Sequence, residues 1–339
     1  MTRALADLKA YWPVWVVYLG LGAIRLAEPL DVAEAIYLTR SQIPVGDLFL
    51  FPYSPAYLAL LHLWNGLGDS AAWLRALGLL VGLAGLVLAP RVLRGLGGVH
   101  AEPGALWLLA ASPFFVTQMR AVTPSALAFL AAVLALLCFL EFLRAGGSGW
   151  LAGWVTALVA ALMVHGGLYY LALVLSLGMA CYRRRYDTRQ RPWWLAQVPP
   201  LALFAYLFGS QLNRFFLHRV AEVNTASAAG RQWAALGADL PMPWSAAAAG
   251  LLLLLLLSGL RACTDFRHDP RHGLLVLGFA LPTAIWLVWL PHDFYAVAAL
   301  PCLAALGSMG IRLYPRWGRQ VLWVAVALIY AWSHWRAVF

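Results

Sequence analysis

The chain has 339 residues, of which 63% are apolar, 11% are charged and 17 are Trp. A soluble domain is roughly half apolar and a quarter charged, so this composition excludes an ordinary soluble enzyme and predicts an all-α polytopic membrane protein. The net charge of +10 does not point to nucleic acid, because a multi-spanning protein carries a basic excess on its inner loops.

Apolar runs of helical length fall near 11–27, 55–67, 71–93, 104–118, 122–143, 150–165, 167–182, 193–209, 244–260, 273–290, 295–311 and 320–333. They lack the alternation of a transmembrane barrel strand. The first follows a basic start, as a signal peptide does, but Trp12, Trp15 and Arg25 are unlike a cleavable segment and mark it as a span. After it comes EPLDVAEAIYLTRSQIPVGDLFLFPYSPAYLALLH, with Glu28, Asp31, Glu34, Arg40 and Asp47 in a chain where charge is scarce. The 55–67 run that closes this stretch would reach only about 20 Å as a helix, short of a hydrocarbon core of about 30 Å. It is therefore expected to lie at the surface.

Charge placement tests that expectation. With a non-crossing 55–67 helix and an inner N-terminus, eleven spans result, and most basic residues fall inside, including the YRRRYDTRQR cluster. A crossing helix would turn that cluster outward. The predicted organisation is a single transmembrane domain over 1–339, with a first outer loop at 28–70, a second at 210–243 and no separate soluble domain. The N-terminus faces the cytoplasm and the C-terminus faces out.

Candidate chemistry collects on the outer side. Asp31 and Glu34 are three apart, so on a helix they share a face and can converge as a general base; the plain alternative is an acidic helix cap. Asp47 is a weaker candidate and a good turn residue. For a phosphate, the candidates are external arginines, whose planar guanidinium stays charged near lipid. Arg120 lies in a short turn, where it can bind phosphate or reach to headgroups. Arg75 lies one turn inside a span, where a charge is costly; pairing with Glu34 or Asp69 is the alternative. Arg214, His218 and Arg219 alternate with aromatics, as in an interfacial helix on anionic lipid. His165, His292 and Tyr295 sit at outer turns, and Tyr37 is a plausible sugar or headgroup contact; interface belts use the same residue types. Cys138, Cys181, Cys263 and Cys302 are scattered without ligand spacing, so no metal site is predicted, and a divalent cation is left open.

The order of features resembles the GT-C superfamily of membrane glycosyltransferases, in the branch of protein O-mannosyltransferases and the lipid A aminoarabinose transferase. The resemblance rests on the acidic motif before Tyr37, the Pro-rich turn and short helix PYSPAYLALLHLW, and the Arg-containing span start AAWLRALGLL. It continues in the Ser-Pro segment LLAASPFFVTQMRAVTP and the late PHDFYAVAALPCLAALG. It implies a bacterial inner-membrane enzyme that moves a sugar from a polyprenyl phosphate to a lipid, glycan or protein acceptor outside. A carboxylate would take the acceptor proton, with inversion at the sugar. Alignment on Glu34 and Tyr37 puts Ala33 where the usual Asp stands. Either Asp31 or Glu34 then serves, or the chain is a non-catalytic scaffold of the same fold; a flippase for a lipid-linked sugar is a further alternative.

Overall fold

The computed structural model describes residues 2–44, 54–181, 187–207, 244–263, 270–288 and 293–338, and among them there are helices and no strand. In chain order the helices are α1 (Thr2–Ala23), α2 (Val32–Ser41), α3 (Pro55–Asn65), α4 (Ala71–Gly97), α5 (Glu102–Ala110), α6 (Pro113–Arg120) and α7 (Ser125–Ala145). They continue with α8 (Ser148–Val164), α9 (Tyr170–Cys181), α10 (Asp187–Ala196), α11 (Trp244–Ala262), α12 (Pro270–Val288), α13 (Asp293–Arg312) and α14 (Arg316–Val338). A 3₁₀ turn over Gly166–Tyr169 joins α8 to α9. Two described helices, α4 and α7, are long and apolar enough to cross a bilayer. The Arg214 and Arg219 loop, Asp47 and His292 lie outside the described residues; Tyr295 falls in the first turn of α13, with its side chain outside them.

One expected span takes a different form. The 104–118 run is not continuous: it divides into α5 and α6, helices of 9 and 8 residues. Pro113 explains the break. Its ring disfavours helical backbone at Ser112, which instead adopts φ −60 and ψ 123 and caps α6 by accepting from the Phe115 amide at 3.3 Å. The short α3 has 11 residues, which at 1.5 Å each is about 16 Å.

Helix α4 is the organising element, packing against α7, α5, α6, α13 and α1. Its approach to α6 is close: a Cβ on Gly78 would stand 2.3 Å from the Met119 carbonyl oxygen, so only glycine fits. Around this contact Tyr18, Phe115 and Phe129 interlock, with ring centroids 5.7 and 4.8 Å apart. Tyr18 is fully buried and donates to the Leu79 carbonyl at 3.1 Å. On the far side of α7, buried Trp193 packs against Phe139 and Trp154. Helices α11 and α13 meet backbone to backbone, where Cβ atoms on Gly259 and Gly310 would lie within 2.7 Å of the partner main chain.

A second, smaller core sits under α2 and α3. Tyr57, Leu61, Leu74, Leu77 and Val122 are buried there, with Leu30, Tyr37 and Leu38 packed on them. It fixes the acidic segment to the first turns of α4.

Candidate functional site

The site builds from the chain reversal after α1. Arg25 adopts φ 62, a left-handed backbone uncommon outside glycine, and pairs its side chain with Glu28. The turn carries the chain to Asp31, the N-cap of α2, which has extended backbone. Asp31 Oδ1 accepts from the Glu34 amide at 2.8 Å, and Glu34 Oε2 accepts from the Asp31 amide at 2.9 Å. This reciprocal capping box is what Asp-x-x-Glu encodes.

Asp31 and Glu34 then part ways. The Glu34 side chain turns inward and is buried against Arg75, whose Nε and Nη2 donate to its two oxygens at 2.9 and 2.6 Å. The Val122 amide adds a third element at 3.0 Å. Both Glu34 oxygens thus accept two hydrogen bonds, which fills the acceptor capacity of a carboxylate. Burial alone would raise its pKa, but the Arg75 hydrogen bonds and the two amides outweigh that and hold Glu34 below the ordinary carboxylate range.

Arg75 is equally occupied. Its Nη1 donates to the carbonyls of Leu26 and Glu28 at 3.1 and 2.6 Å, and its Nη2 to that of Pro29 at 3.0 Å. A cation one turn inside an apolar helix is therefore satisfied by the turn and the acid that cover it. Asp31 remains exposed, and among the described residues its Oδ2 has no hydrogen-bond partner.

The other candidates gather at the same end of the bundle to differing degrees. Arg120, half-buried, donates to the Ile24 carbonyl and makes no ion pair among the described residues. Burial lowers its pKa, and the charges of Arg25 and Arg75 are close enough to add to the effect. Tyr37 meets buried Tyr57 edge to face, with centroids 5.8 Å apart, so its ring packs α2 on α3; burial pushes its hydroxyl up. His165 caps the C-terminus of α8, a helix against which α3 packs. His62 Nδ1 lies 2.7 Å from the Ser41 carbonyl and ties α3 to the end of α2.

One residue here was not anticipated. His334, near the end of α14, places Nε2 3.1 Å from the Ala111 carbonyl and stands within reach of the Arg120 charge. A lone histidine in an aromatic tail gave no signal. Among the described residues no three Asp, Glu, His or Cys side chains gather as a metal-ligand set. Among the described residues, Glu34 is saturated and Asp31 Oδ2 is the one oxygen of the acidic pair without a hydrogen bond, so within them the pair does not by itself assemble a metal site.

Among solved structures, the oligosaccharyltransferase AglB of Archaeoglobus fulgidus, tethered to an acceptor peptide, superposes on 98% of this chain with a TM-score of 0.65 at 12% identity. ArnT of Cupriavidus metallidurans bound to undecaprenyl phosphate superposes on 97% with a TM-score of 0.59 at 16% identity. The chain has the GT-C fold. It spans 56% and 63% of the length of those two proteins. AglB has also been captured with an inhibitory peptide and a dolichol-phosphate. No protein-family model matches the chain, and no curated protein matches it in sequence. The GT-C fold is thus carried by the arrangement of helices at an identity where sequence alignment has little to hold.

Proposed function

We propose that this chain is a GT-C glycosyltransferase that takes a sugar from a polyprenyl-phosphate donor and places it on a lipid, glycan or protein acceptor at the outer face of a bacterial inner membrane. The observation that carries this reading is the split fate of the acidic pair. Glu34 is locked to Arg75 and Val122, while Asp31 is exposed at the tip of α2 with an oxygen that has no hydrogen-bond partner among the described residues. The GT-C fold, shared with proteins captured with undecaprenyl phosphate and dolichol-phosphate, supplies the context.

Asp31 acts as the general base. Its carboxylate takes the proton of the acceptor hydroxyl as that oxygen attacks the anomeric carbon; the bond from that carbon to the lipid phosphate oxygen breaks, and the polyprenyl phosphate departs with inverted configuration left at the sugar. Glu34 and Arg75 position Asp31 by fixing the start of α2 and the turn before it. Arg120, without an acid partner among the described residues, faces the departing phosphate. His165, Tyr37, Arg214, Arg219, His292 and Tyr295 remain candidates for contacts to donor or headgroup.

The topology follows the charge count: eleven spans, α2 and α3 outside as surface helices, N-terminus cytoplasmic. The test is transfer from a labelled polyprenyl-phosphate sugar by the purified chain. Loss of transfer in Asp31→Asn with donor binding retained supports the assignment; unchanged transfer in both Asp31→Asn and Glu34→Gln overturns it, and donor binding without any transfer by the wild-type chain favours a scaffold.

A further inference from the structure

The break at Ser112-Pro113 deprives two main-chain carbonyls of their helical partners. In a continuous helix the Ser112 amide would serve Leu108 and the Phe115 amide would serve Ala111. Here the Ser112 amide turns to the Leu109 carbonyl at 3.2 Å, and the Phe115 amide goes to the Ser112 hydroxyl. Helix α14 supplies the replacements. The Tyr330 hydroxyl donates to the Leu108 carbonyl at 3.2 Å, and His334 Nε2 stands 3.1 Å from that of Ala111. Four residues apart, these side chains share the face of α14 opposite the exposed Trp317, Val321, Val324 and Leu328. His334 is thus turned toward the bundle and not toward the lipid belt.

The two residues differ in what they leave over. Tyr330 has one proton to give, and it is spent. A carbonyl only accepts, so His334 Nε2 carries the hydrogen, and in the neutral ring Nδ1 keeps a lone pair. Burial and the nearby Arg120 charge favour that neutral form. Among the described residues Nδ1 has no hydrogen-bond partner, and it is not sealed in, for His334 is half-buried. Arg120 is open in the complementary sense: Nη1 donates to the Ile24 carbonyl, while Nε and Nη2 have no partner among the described residues. Glu34 and Arg75 also lie within reach of the Arg120 charge, so these open groups stand beside the Asp31 site.

A lone pair calls for a hydrogen, which the oxygens of a phosphodiester lack and every sugar hydroxyl has. The sugar is bonded to its carrier phosphate through the anomeric carbon, so a phosphate on Arg120 brings ring hydroxyls to the groups beside it. We infer that His334 binds the sugar of the lipid-linked substrate, Nδ1 accepting from a ring hydroxyl while Arg120 holds the phosphate. This assignment rests on the glycosyl transfer proposed above.

The full chain in neutral detergent is titrated with undecaprenyl phosphate, undecaprenyl-phosphate glucose and undecaprenyl-phosphate mannose, and Kd is read from tryptophan fluorescence. At least one hexose is expected to tighten binding roughly ten-fold over the bare phosphate. His334→Gln, whose amide can still reach Ala111 from the Nε2 position but puts no acceptor at Nδ1, removes that gain and leaves the Kd of undecaprenyl phosphate unchanged. His334→Phe repeats the test should His334→Gln not fold. Arg120→Gln weakens all three ligands. Tyr330→Phe loses the same kind of carbonyl bond and keeps the gain, which a purely structural His334 would also do. No gain with either hexose in wild type, a gain that survives in the His334 variants, or equal weakening of bare phosphate and hexoses overturns the proposal. A gain that depends on His334 in a chain that transfers nothing upholds the sugar site and fails only the transferase reading.

Discussion

Helix α4 carries an arginine near each end, Arg75 and Arg94, about 28 Å apart at 1.5 Å per residue, and each grips a buried glutamate through two nitrogens. At the Arg94 end Glu102 comes from the next helix, eight residues on, and Tyr11 and Asp7 of α1 complete the cluster at 3.0 Å each. Every acid there is spoken for, and the result is a clamp between α1, α4 and α5. At the Arg75 end Glu34 comes from 41 residues upstream, and the closed pair leaves one neighbouring acid, Asp31, outside it. The same bidentate chemistry serves at one end to close the structure and at the other to hold an unspent carboxylate at a helix tip. That residual acid is what makes the Arg75 end, and not the Arg94 end, the proposed site.

The sharpest test exploits the capping geometry. Asn caps a helix about as well as Asp, so Asp31→Asn removes the base and keeps α2. Transfer is expected to fall by roughly 10² to 10⁴ with melting temperature nearly unchanged. At the opposite end Tyr11→Phe, which deletes the hydroxyl that donates to Glu102, is expected to cost about 1 kcal/mol of stability and leave the transfer rate as it was. A large rate loss in Tyr11→Phe would erase the distinction between the two ends.

Next in size is the loss of either arginine. Arg75→Ala leaves Glu34 buried and charged and strips the turn carbonyls of their donor, with an expected cost of about 3–5 kcal/mol. The Arg94 side chain is 32% exposed, against 8% for Arg75. Water can partly replace it, and about 1.5–3 kcal/mol is expected for Arg94→Ala. Unfolding in detergent, followed by helical signal, orders the two; the reverse order would mean that the Arg75 end is the looser one.

Much of this was legible, and the gaps have physical causes. The Asp-x-x-Glu spacing announces a capping box, and a cation one turn inside an apolar helix demands a partner, for which Glu34 was one of two options. The expectation that both acids converge on one site failed because the spacing says nothing about depth: the second core under α2 draws Glu34 in and leaves Asp31 out. The Val122 amide, 88 residues from Glu34, is a backbone group and carries no mark in a side-chain pattern. The break at Ser112-Pro113 was written in the Ser-Pro pair, yet continuous apolarity across it read as one span. Glu102 carries no mark in a sequence pattern because the cluster it joins, with Arg94, Asp7 and Tyr11, is drawn from two other helices.

A smaller effect probes how the Arg75 end is held in register. Gly78→Ala would drive a Cβ to 2.3 Å from the Met119 carbonyl, a backbone atom that cannot swing aside, and push away the segment that brings in the Val122 amide. A loss of about 1–3 kcal/mol is expected, with a fall in transfer beyond that of Gly20→Ala, where nothing lies within 4 Å. Equal behaviour of the two alanines would show that the close approach of α4 and α6 has no bearing on Asp31.

Acid titration separates the ends most gently. The folded-state pKa of Glu34 is lowered, first against burial and then by the Arg75 hydrogen bonds and the Asp31 and Val122 amides. The unfolded chain therefore binds the extra proton first as pH falls. The stability Glu34 contributes is present above its unfolded pKa of about 4.3 and drains away below it until the folded carboxyl also protonates, at no more than about 1.4 kcal/mol per pH unit. Melting temperature measured from pH 6 down to pH 3 is expected to fall more steeply for wild type than for Glu34→Gln, which has no proton to take up. Parallel curves would mean that the Glu34–Arg75 lock does not stabilise the charged carboxylate, and with it would go the reason for giving Asp31, and not Glu34, the role of base.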